Sequence, residues 1–385
     1  MKQIIKNFNN LVKKTIFKVK NKTNNNFKIS NFNRYLIFLI ASLFIYLFYL
    51  LVPLLYDKTW VQTNIESKLL NEFRLNLSIS EDISYRILPA PHFLIKNSKI
   101  LIVKSKITKS IAEIKDFKIF LNQRSFFDKE KMKIEKIVIN DANFSVLKSD
   151  FKLLSDIISK KFSNKKIKIT NSNIFFKDNF GEVISIIKIG KSILFFDEKK
   201  LSNLINLKGE IFNIPFTFDF NNRNDSNKYK EINFTSKPLQ LNISDKSTIE
   251  KKIISGEYDI SFLKSTVNTQ YNVKDKLITF KSGTSKLNSS QVNYNGELSI
   301  NPFDLNFNIY LNDYRISKIF SVNPIFIEFI KSELLFNENI SVKTFISINS
   351  NIKNEIFNKA KINLHIINGK IHFDKTEFVN DEIEK

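Results

Sequence analysis

The chain has no cysteine. That excludes disulfides, thiolate metal sites and thiol catalysis, although it does not identify the compartment. Glycine and proline are scarce, seven of each in 385 residues. No Gly/Ser/Pro-rich linker interrupts the chain, so composition marks no domain boundary after the apolar run described below. Three histidines, His92, His365 and His372, leave little material for a zinc site. The phosphate-cradling, dinucleotide and metalloprotease patterns G-x-x-x-x-G-K, G-x-G-x-x-G and H-E-x-x-H are missing, as is the nucleophile elbow G-x-S-x-G. Carboxylates are numerous, but nothing singles out a catalytic pair. The sequence predicts a protein that is not an enzyme and uses no cofactor and no metal.

The first 34 residues lack one sign of charge: they carry eight Lys and Arg34 but no Asp or Glu. Residues 35–56, YLIFLIASLFIYLFYLLVPLLY, lack charge altogether, and Ser42 is the one clearly polar side chain. As a helix rising about 1.5 Å per residue, this run spans about 33 Å, enough for the hydrocarbon core of a bilayer. A secretory signal has a shorter apolar core and a small-residue cleavage site. Here the run ends Pro53-Leu54-Leu55-Tyr56-Asp57. It reads as an uncleaved transmembrane helix. Basic residues mark the cytoplasmic flank. Residues 1–34 are therefore a basic cytoplasmic tail, and residues 57–385 lie on the far side, the periplasm if the membrane is the inner membrane of a Gram-negative bacterium.

The net charge is +22 and the isoelectric point about 9.7. The tail holds nine of the 60 basic side chains, leaving 51 against 38 acids in the rest. That remaining excess is spread thinly and faces a compartment without nucleic acid, so nucleic acid is not expected as a partner. The tail suits anionic inner-leaflet lipid, at roughly 1 kcal/mol per basic residue near the surface. Lys, Asn, Ile and Phe, residues of A/T-rich codons, dominate the chain, and codon bias explains much of the 38 Phe.

After the apolar run, Val61, Ile65, Leu69 and Phe73 recur at steps of four, one face of a short amphipathic helix. From Leu75 the period becomes two. Leu75, Leu77 and Ile79, then Ile83, Tyr85 and Ile87, alternate with polar residues as half-buried strands do. The same alternation returns at Ile214–Phe220, Phe303–Leu311, Val342–Ile348 and Ile362–Ile366. Phe151–Phe162 and Ile316–Ile330, the second interrupted at Pro324, read as helices. Asn221–Lys230 reads as a long surface loop. The fold class is mainly β with a few short helices.

A degenerate motif, polar-small-x-apolar-x-apolar, follows Asn97, Asp141, Asn171, Lys208, Ser255, Asn295 and Asn368, at spacings of 30 to 73 residues. It reads as a strand start after a tight reversal. Its irregular spacing argues for a meander of similar hairpins over a solenoid of fixed period. Asn368-Gly369 is a type I′ signal. It predicts Ile367 opposite Lys370, Ile366 opposite Ile371, His365 opposite His372 and Leu364 opposite Phe373, with one greasy face and one wet face. The two histidines read as solvent-facing strand residues, and His92, after Pro89-Ala90-Pro91, as a loop residue. Two arrangements bury apolar strand faces of this kind. One is a closed sandwich or barrel core. The other is a long curved sheet whose concave face stays apolar because its ligand is apolar.

Residues 61–100 resemble the opening of the AsmA family. The family pattern is an inner-membrane helix, a short helix with a Glu, a strand pair, a P-x-P turn and an L-x-I-x-N-x-x-I-like strand. Those elements fall here at Glu66, Leu75–Ile87, Pro89/Pro91 and Leu94–Ile100. The run Ala112–Val146 and the segment NYNGELSINPFDLNFNIYLNDY, residues 293–314, are also similar to the family. Phe73 and Glu81 stand where the family often has Gly, and residues 147–290 match only in strand style. The resemblance implies a β-groove protein similar to bridge-like lipid transporters: one transmembrane helix, then a long curved antiparallel sheet whose apolar trough shields acyl chains. It implies phospholipid as ligand, the inner membrane as anchor point, and a part in lipid transport to, or assembly of, the outer membrane, with outer-membrane or periplasmic proteins as further partners. The competing reading is a non-transporting scaffold or assembly factor for outer-membrane proteins. The candidate trough wall is Phe216, Phe218, Phe220, Phe303, Leu305, Phe307, Ile309, Leu364, Ile366, Ile371 and Phe373. About 20 strands at about 4.8 Å would make the sheet on the order of 100 Å long, with a partner or second copy completing any longer path.

Overall fold

The computed structural model describes residues 31–73, 75–79, 82–104, 107–147, 150, 156, 158–178, 180–223, 228–287, 290–300, 303–319, 340–352 and 355–380. The chain divides into two compact units. The first comprises Met1–Leu55 together with the loop Ser125–Lys131. Within it, helix α1 (Asn31–Leu51) continues into a 3₁₀ turn, Val52–Leu55. The stretch Phe32–Leu55, 24 residues, is long and apolar enough to cross a membrane, and it is hardly covered by protein. The predicted apolar helix is present and begins a few residues early. Residues 1–30 of the predicted tail lie outside the described residues.

The second unit comprises Tyr56–Arg124 and Met132–Lys385. It opens with α2 (Lys58–Phe73), whose Asp57 side chain caps the helix by accepting from Trp60 N at 2.9 Å. The predicted stripe Val61, Ile65, Leu69, Phe73 is buried. All the described strands of the unit belong to one sheet. Two short strands, β1 (Asn76–Ser78) and β2 (Ile83–Arg86), share one edge of β3 (His92–Lys104). Next come β4 (Ile107–Leu121), β5 (Ile134–Leu147), β6 (Lys166–Lys177), β7 (Val183–Asp197), β8 (Ser202–Ile211) and β9 (Ile214–Arg223). They are followed by β10 (Lys228–Ser236), β11 (Leu241–Glu250), β12 (Ile253–Phe262) and β13 (Ser265–Lys274). The strands β14 (Leu277–Ser282) and β15 (Ser285–Leu287) share the position between β13 and β16 (Ser290–Ile300). The sheet ends with β17 (Phe303–Asn312), β18 (Ile340–Asn349) and β19 (Lys359–Ile367), whose outer edge is shared by β20 (Lys370–Phe373) and β21 (Glu377–Val379).

Apart from the short strands that share a position, each strand pairs with its sequence neighbour, so the sheet grows as a meander. Three pairs of short strands share single positions, so 21 strands fill 18 places across the sheet. At about 4.8 Å per step the sheet extends about 80 Å, less than expected from counting strands alone. It is also not wholly antiparallel: β5/β6 and β17/β18 are parallel. A parallel joint needs a crossover connection, because a tight turn can only reverse the chain. The two stretches predicted as helices fall in these two crossovers. Of Phe151–Phe162, the described parts include helical Asp156, Ile158 and Ser159. Of Ile316–Ile330, Ile316–Ile319 is a 3₁₀ turn and the rest lies outside the described residues.

Three further expectations need correction. The Asn221–Lys230 stretch is no long loop, because β9 runs to Arg223 and β10 starts at Lys228. His92 is a buried strand residue, 2% exposed, with Nδ1 2.7 Å from Ala90 O and its ring stacked on Phe120 at 4.9 Å. Burial pushes its pKa down. Lastly, the degenerate motif starts a strand only at Asn368. At Asn97, Asp141 and Asn171 it lies inside β3, β5 and β6, and each of these residues has a left-handed backbone, with φ between 49° and 54°. Asn and Asp tolerate that conformation because their short side chains bond locally. Asn171 donates to Asp141, and Thr170 to Asn140, across the parallel joint.

These left-handed residues lie along one crease. On one sheet face, the spacing across it is three residues instead of two: Ile95 to Ser98, Ile139 to Ala142, Ile169 to Ser172, and likewise Ile114 to Phe117 in β4 and Ile189 to Ser192 in β7. Because all five strands change phase together, the same face stays apolar on both sides of the crease.

Candidate functional site

Alternation along a strand puts every second side chain on one face, and partners across a ladder share that face. The register therefore defines a row from one strand to the next. Ile83, Ile95, Phe117, Ile139, Ile169, Ser192, Leu207, Phe218, Phe234, Ile243, Ile260 and Val267 are successive partners from β2 to β13. A second row, Val273, Ile278, Leu298, Leu305, Val342, Ile366 and Ile371, runs from β13 to β20. Together the rows carry one apolar face across the whole sheet. The opposite face carries polar pairs such as Asn206–Asp219 at 2.5 Å and Asn295–Asn308 at 2.9 Å.

All eleven candidate wall residues lie on this face. Phe216, Phe218 and Phe220 project from β9, and Phe303, Leu305, Phe307 and Ile309 from β17. Leu364 and Ile366 on β19 meet Phe373 and Ile371 on β20, in the register expected from the Asn-Gly turn. They are not equally covered. Phe216, Phe220 and Ile366 are buried, whereas Phe303 and Phe373, at strand ends, are exposed. Phe218, Leu305, Phe307, Ile309, Leu364 and Ile371 are partly exposed.

Coverage varies along the face. At the β3–β5 end, Ile95, Phe117, Ile119 and Ile137 are fully buried, and α2 packs along β1. That end is a closed core. Near the other end a second cluster, Val292, Leu311, Ile316, Ile348 and Ala360, is closed by Tyr314, Phe357 and Phe378. Between them the face opens. Ile174, Ile187, Ile205, Leu207, Phe234, Ile243, Ile260 and Phe280 are all partly exposed. An apolar cavity of about 450 Å³ lies on this part of the face, lined by Val267, Phe280, Val292, Leu305, Phe307 and Ile309 among others. That volume falls in the range of ligand clefts. A larger cavity, about 1200 Å³, follows the crease on the polar side. Its walls carry charges of both signs, and several are paired, as in Lys99–Glu113 at 3.2 Å and Lys188–Glu210 at 4.0 Å. Such walls are solvated surface and select no ligand class, so the apolar face is the better candidate despite its smaller cavity.

The sequence reading omitted the middle of the face. Ile243, Tyr258, Ile260, Tyr271 and Phe280 do alternate, but Gly, Ser, Thr and Asp interrupt them and hide the period. Two of those interruptions have a packing reason. A Cβ on Gly256 would lie 2.5 Å from the Tyr271 ring, and one on Gly296 would lie 2.6 Å from the Phe280 ring. Aromatic rings from the neighbouring strands lie over both glycines. Asp245 is the one carboxylate on this face among the described strand residues. It is not left bare: Tyr271 OH donates to its Oδ1 at 2.6 Å. Burial, then this bond, pushes the Tyr271 pKa up to about 12. Tyr294 OH donates to Asn268 O at 3.0 Å and sits 2.5 Å from Thr269 Oγ1. These hydroxyls and the Asp245 carboxylate are thus hydrogen-bonded within the sheet.

Among the described residues, no group of three His, Asp or Glu side chains is placed to hold a metal. His365 and His372 are ladder partners as expected, and His365 Nδ1 lies 3.6 Å from Asp374 Oδ2. Compared with known proteins, the sequence matches no family model and no curated protein.

Proposed function

We propose that this protein is anchored in the bacterial inner membrane and shields phospholipid acyl chains on its apolar sheet face, assisting lipid transport to, or assembly of, the outer membrane. The helix Phe32–Leu55 is the anchor, the basic N-terminus is cytoplasmic, and the sheet is periplasmic. On this reading the chain is an AsmA-like β-groove protein and works without catalysis. The observation that carries the proposal is the row from Ile83 to Val267, apolar at every position but Ser192, closed at its first strands and partly uncovered from β6 to β14. Apolar surface left open to water is unfavourable by about 25 cal/mol per Å², and acyl chains remove that penalty. Headgroups would remain in water along the strand ends. Phospholipid should co-purify with the protein, and Phe307→Asp should release it while the β-sheet circular dichroism is unchanged. Recovery of a folded, lipid-free wild-type protein from gentle detergent refutes the proposal.

A further inference from the structure

The loop Ser125–Lys131 connects β4 to β5, yet it groups with α1 and not with the sheet. The contact centres on Tyr49 of α1. Its ring stacks on Phe126 at 5.5 Å and lies tilted against Phe127 at 5.1 Å, and its hydroxyl accepts from Phe126 N at 3.3 Å. The two phenylalanines differ sharply: Phe126 is 1% exposed and Phe127 75% exposed. Charge follows at once in Asp128, Lys129, Glu130 and Lys131, with Asp128 and Lys131 paired at 2.9 Å.

The position of Tyr49 along the helix sets the depth of this contact. From Tyr49 to Leu55 the chain climbs two α-helical steps and then the 3₁₀ turn, about 11 Å along the axis. The run Phe32–Leu55 is about 38 Å long on the same rises, against a hydrocarbon core of about 30 Å. Centred in the bilayer, it projects about 4 Å at each end, which leaves the Tyr49 backbone about 7 Å inside the hydrocarbon boundary. A side chain resting on Tyr49 is at a similar depth. An exposed Phe there faces acyl chains, and the four charged residues that follow reach back to the headgroups, the arrangement of an interfacial aromatic anchor.

We propose that Ser125–Lys131 is a second membrane-inserting element, seating the Phe127 ring in the leaflet at the C-terminal end of α1. The inference rests on the reading of Phe32–Leu55 as a membrane-spanning helix. The loop gives the chain a second meeting point with the bilayer, about 70 residues after the first and directly between two strands of the sheet.

The single tryptophan makes the test simple. In a Trp60→Phe background, Phe127→Trp places one indole in the loop of the full chain. The protein is reconstituted in phosphatidylcholine vesicles with ordinary or acyl-brominated lipid. The expected result is blue-shifted emission that brominated lipid quenches. A control with Leu43→Trp in the same background reports on the middle of the helix. Water-like, unquenched emission from Phe127→Trp beside a quenched Leu43→Trp overturns this proposal and leaves the spanning helix intact. Loss of quenching in both overturns the spanning helix, and the loop proposal with it.

Discussion

Ile95 and Ile260 stand in the same apolar row, and replacing each with alanine removes the same carbons from two places that differ only in what covers them. Ile95 is 0% exposed, in the closed end. Its truncation forfeits the transfer free energy of the lost groups, about 0.8 kcal/mol per methylene, and leaves a cavity that rigid neighbours cannot fill. Isoleucine-to-alanine changes in closed cores cost about 2–5 kcal/mol, and a fully buried site belongs in the middle of that range, about 3–4 kcal/mol. Ile260 is partly exposed in the open stretch. Part of its surface already meets solvent, and an open site leaves no enclosed void, so about 1 kcal/mol is expected. Urea denaturation of the full chain in an amphipol, followed by the far-ultraviolet signal of the sheet, measures both losses. Adding phospholipid should deepen the Ile260→Ala loss, because lipid covers that site, and leave the Ile95→Ala loss unchanged. Equal losses at both positions without lipid would mean that the middle of the face is as closed as its end, and the groove reading would fall.

Two other predictions concern features that sequence did not announce. The β8–β9 hairpin turns through Phe212 and Asn213, at φ 51° and 62°, and the Phe212 ring is 72% exposed. A left-handed backbone costs an ordinary L-residue about 1–2 kcal/mol, and Asn avoids much of it, so Phe212→Asn should stabilise the sheet by about 1 kcal/mol, read as a higher melting temperature. A lower melting temperature would mean that the ring has a partner. Tyr271 keeps its proton in the folded state to about pH 12, against an ordinary 10.0. Its folded pKa is the higher one, so its stabilising contribution is complete below about pH 10 and fades as pH rises toward 12. Burial also raises Tyr85, Tyr229 and Tyr258, so phenolate absorbance should show several late-titrating tyrosines, of which Tyr271→Phe removes one, together with a shallower alkaline loss of stability. A titration unchanged by Tyr271→Phe would show that the bond to Asp245 is not maintained in solution.

How much of this fold could be read in advance depended on the range of the interactions involved. The Asn368-Gly369 hairpin was legible down to its register, because two residues with the right left-handed preference fix a two-residue turn locally. The hairpins at Lys251-Lys252 and Asp275-Lys276 have the same left-handed turns with no glycine in them. Their geometry is imposed by the strands they join, so the turn residues carry little signal. The polar-small motif was misplaced for a related reason. Asn97, Asp141 and Asn171 favour a left-handed backbone wherever they sit, and sequence alone does not distinguish a turn from a crease inside a strand. The candidate face was legible where alternation ran unbroken, as in β9 and β17, and lost where a ring from the next strand required Gly256 or Gly296.

By itself the sequence determined the apolar helix, the amphipathic turn-on of α2 and the two-residue period of the strands. Each follows from residues within a few positions of one another, whose side chains face water, lipid or protein according to local geometry. Only the tertiary structure decided that the separate apolar faces join into one. It also set the parallel joints at β5/β6 and β17/β18, the five strands that change phase along one crease, and the stretch of the face that lies uncovered. Those outcomes depend on which strands become neighbours and on what packs over them. Register and coverage are properties of pairs of segments, and no single segment encodes them.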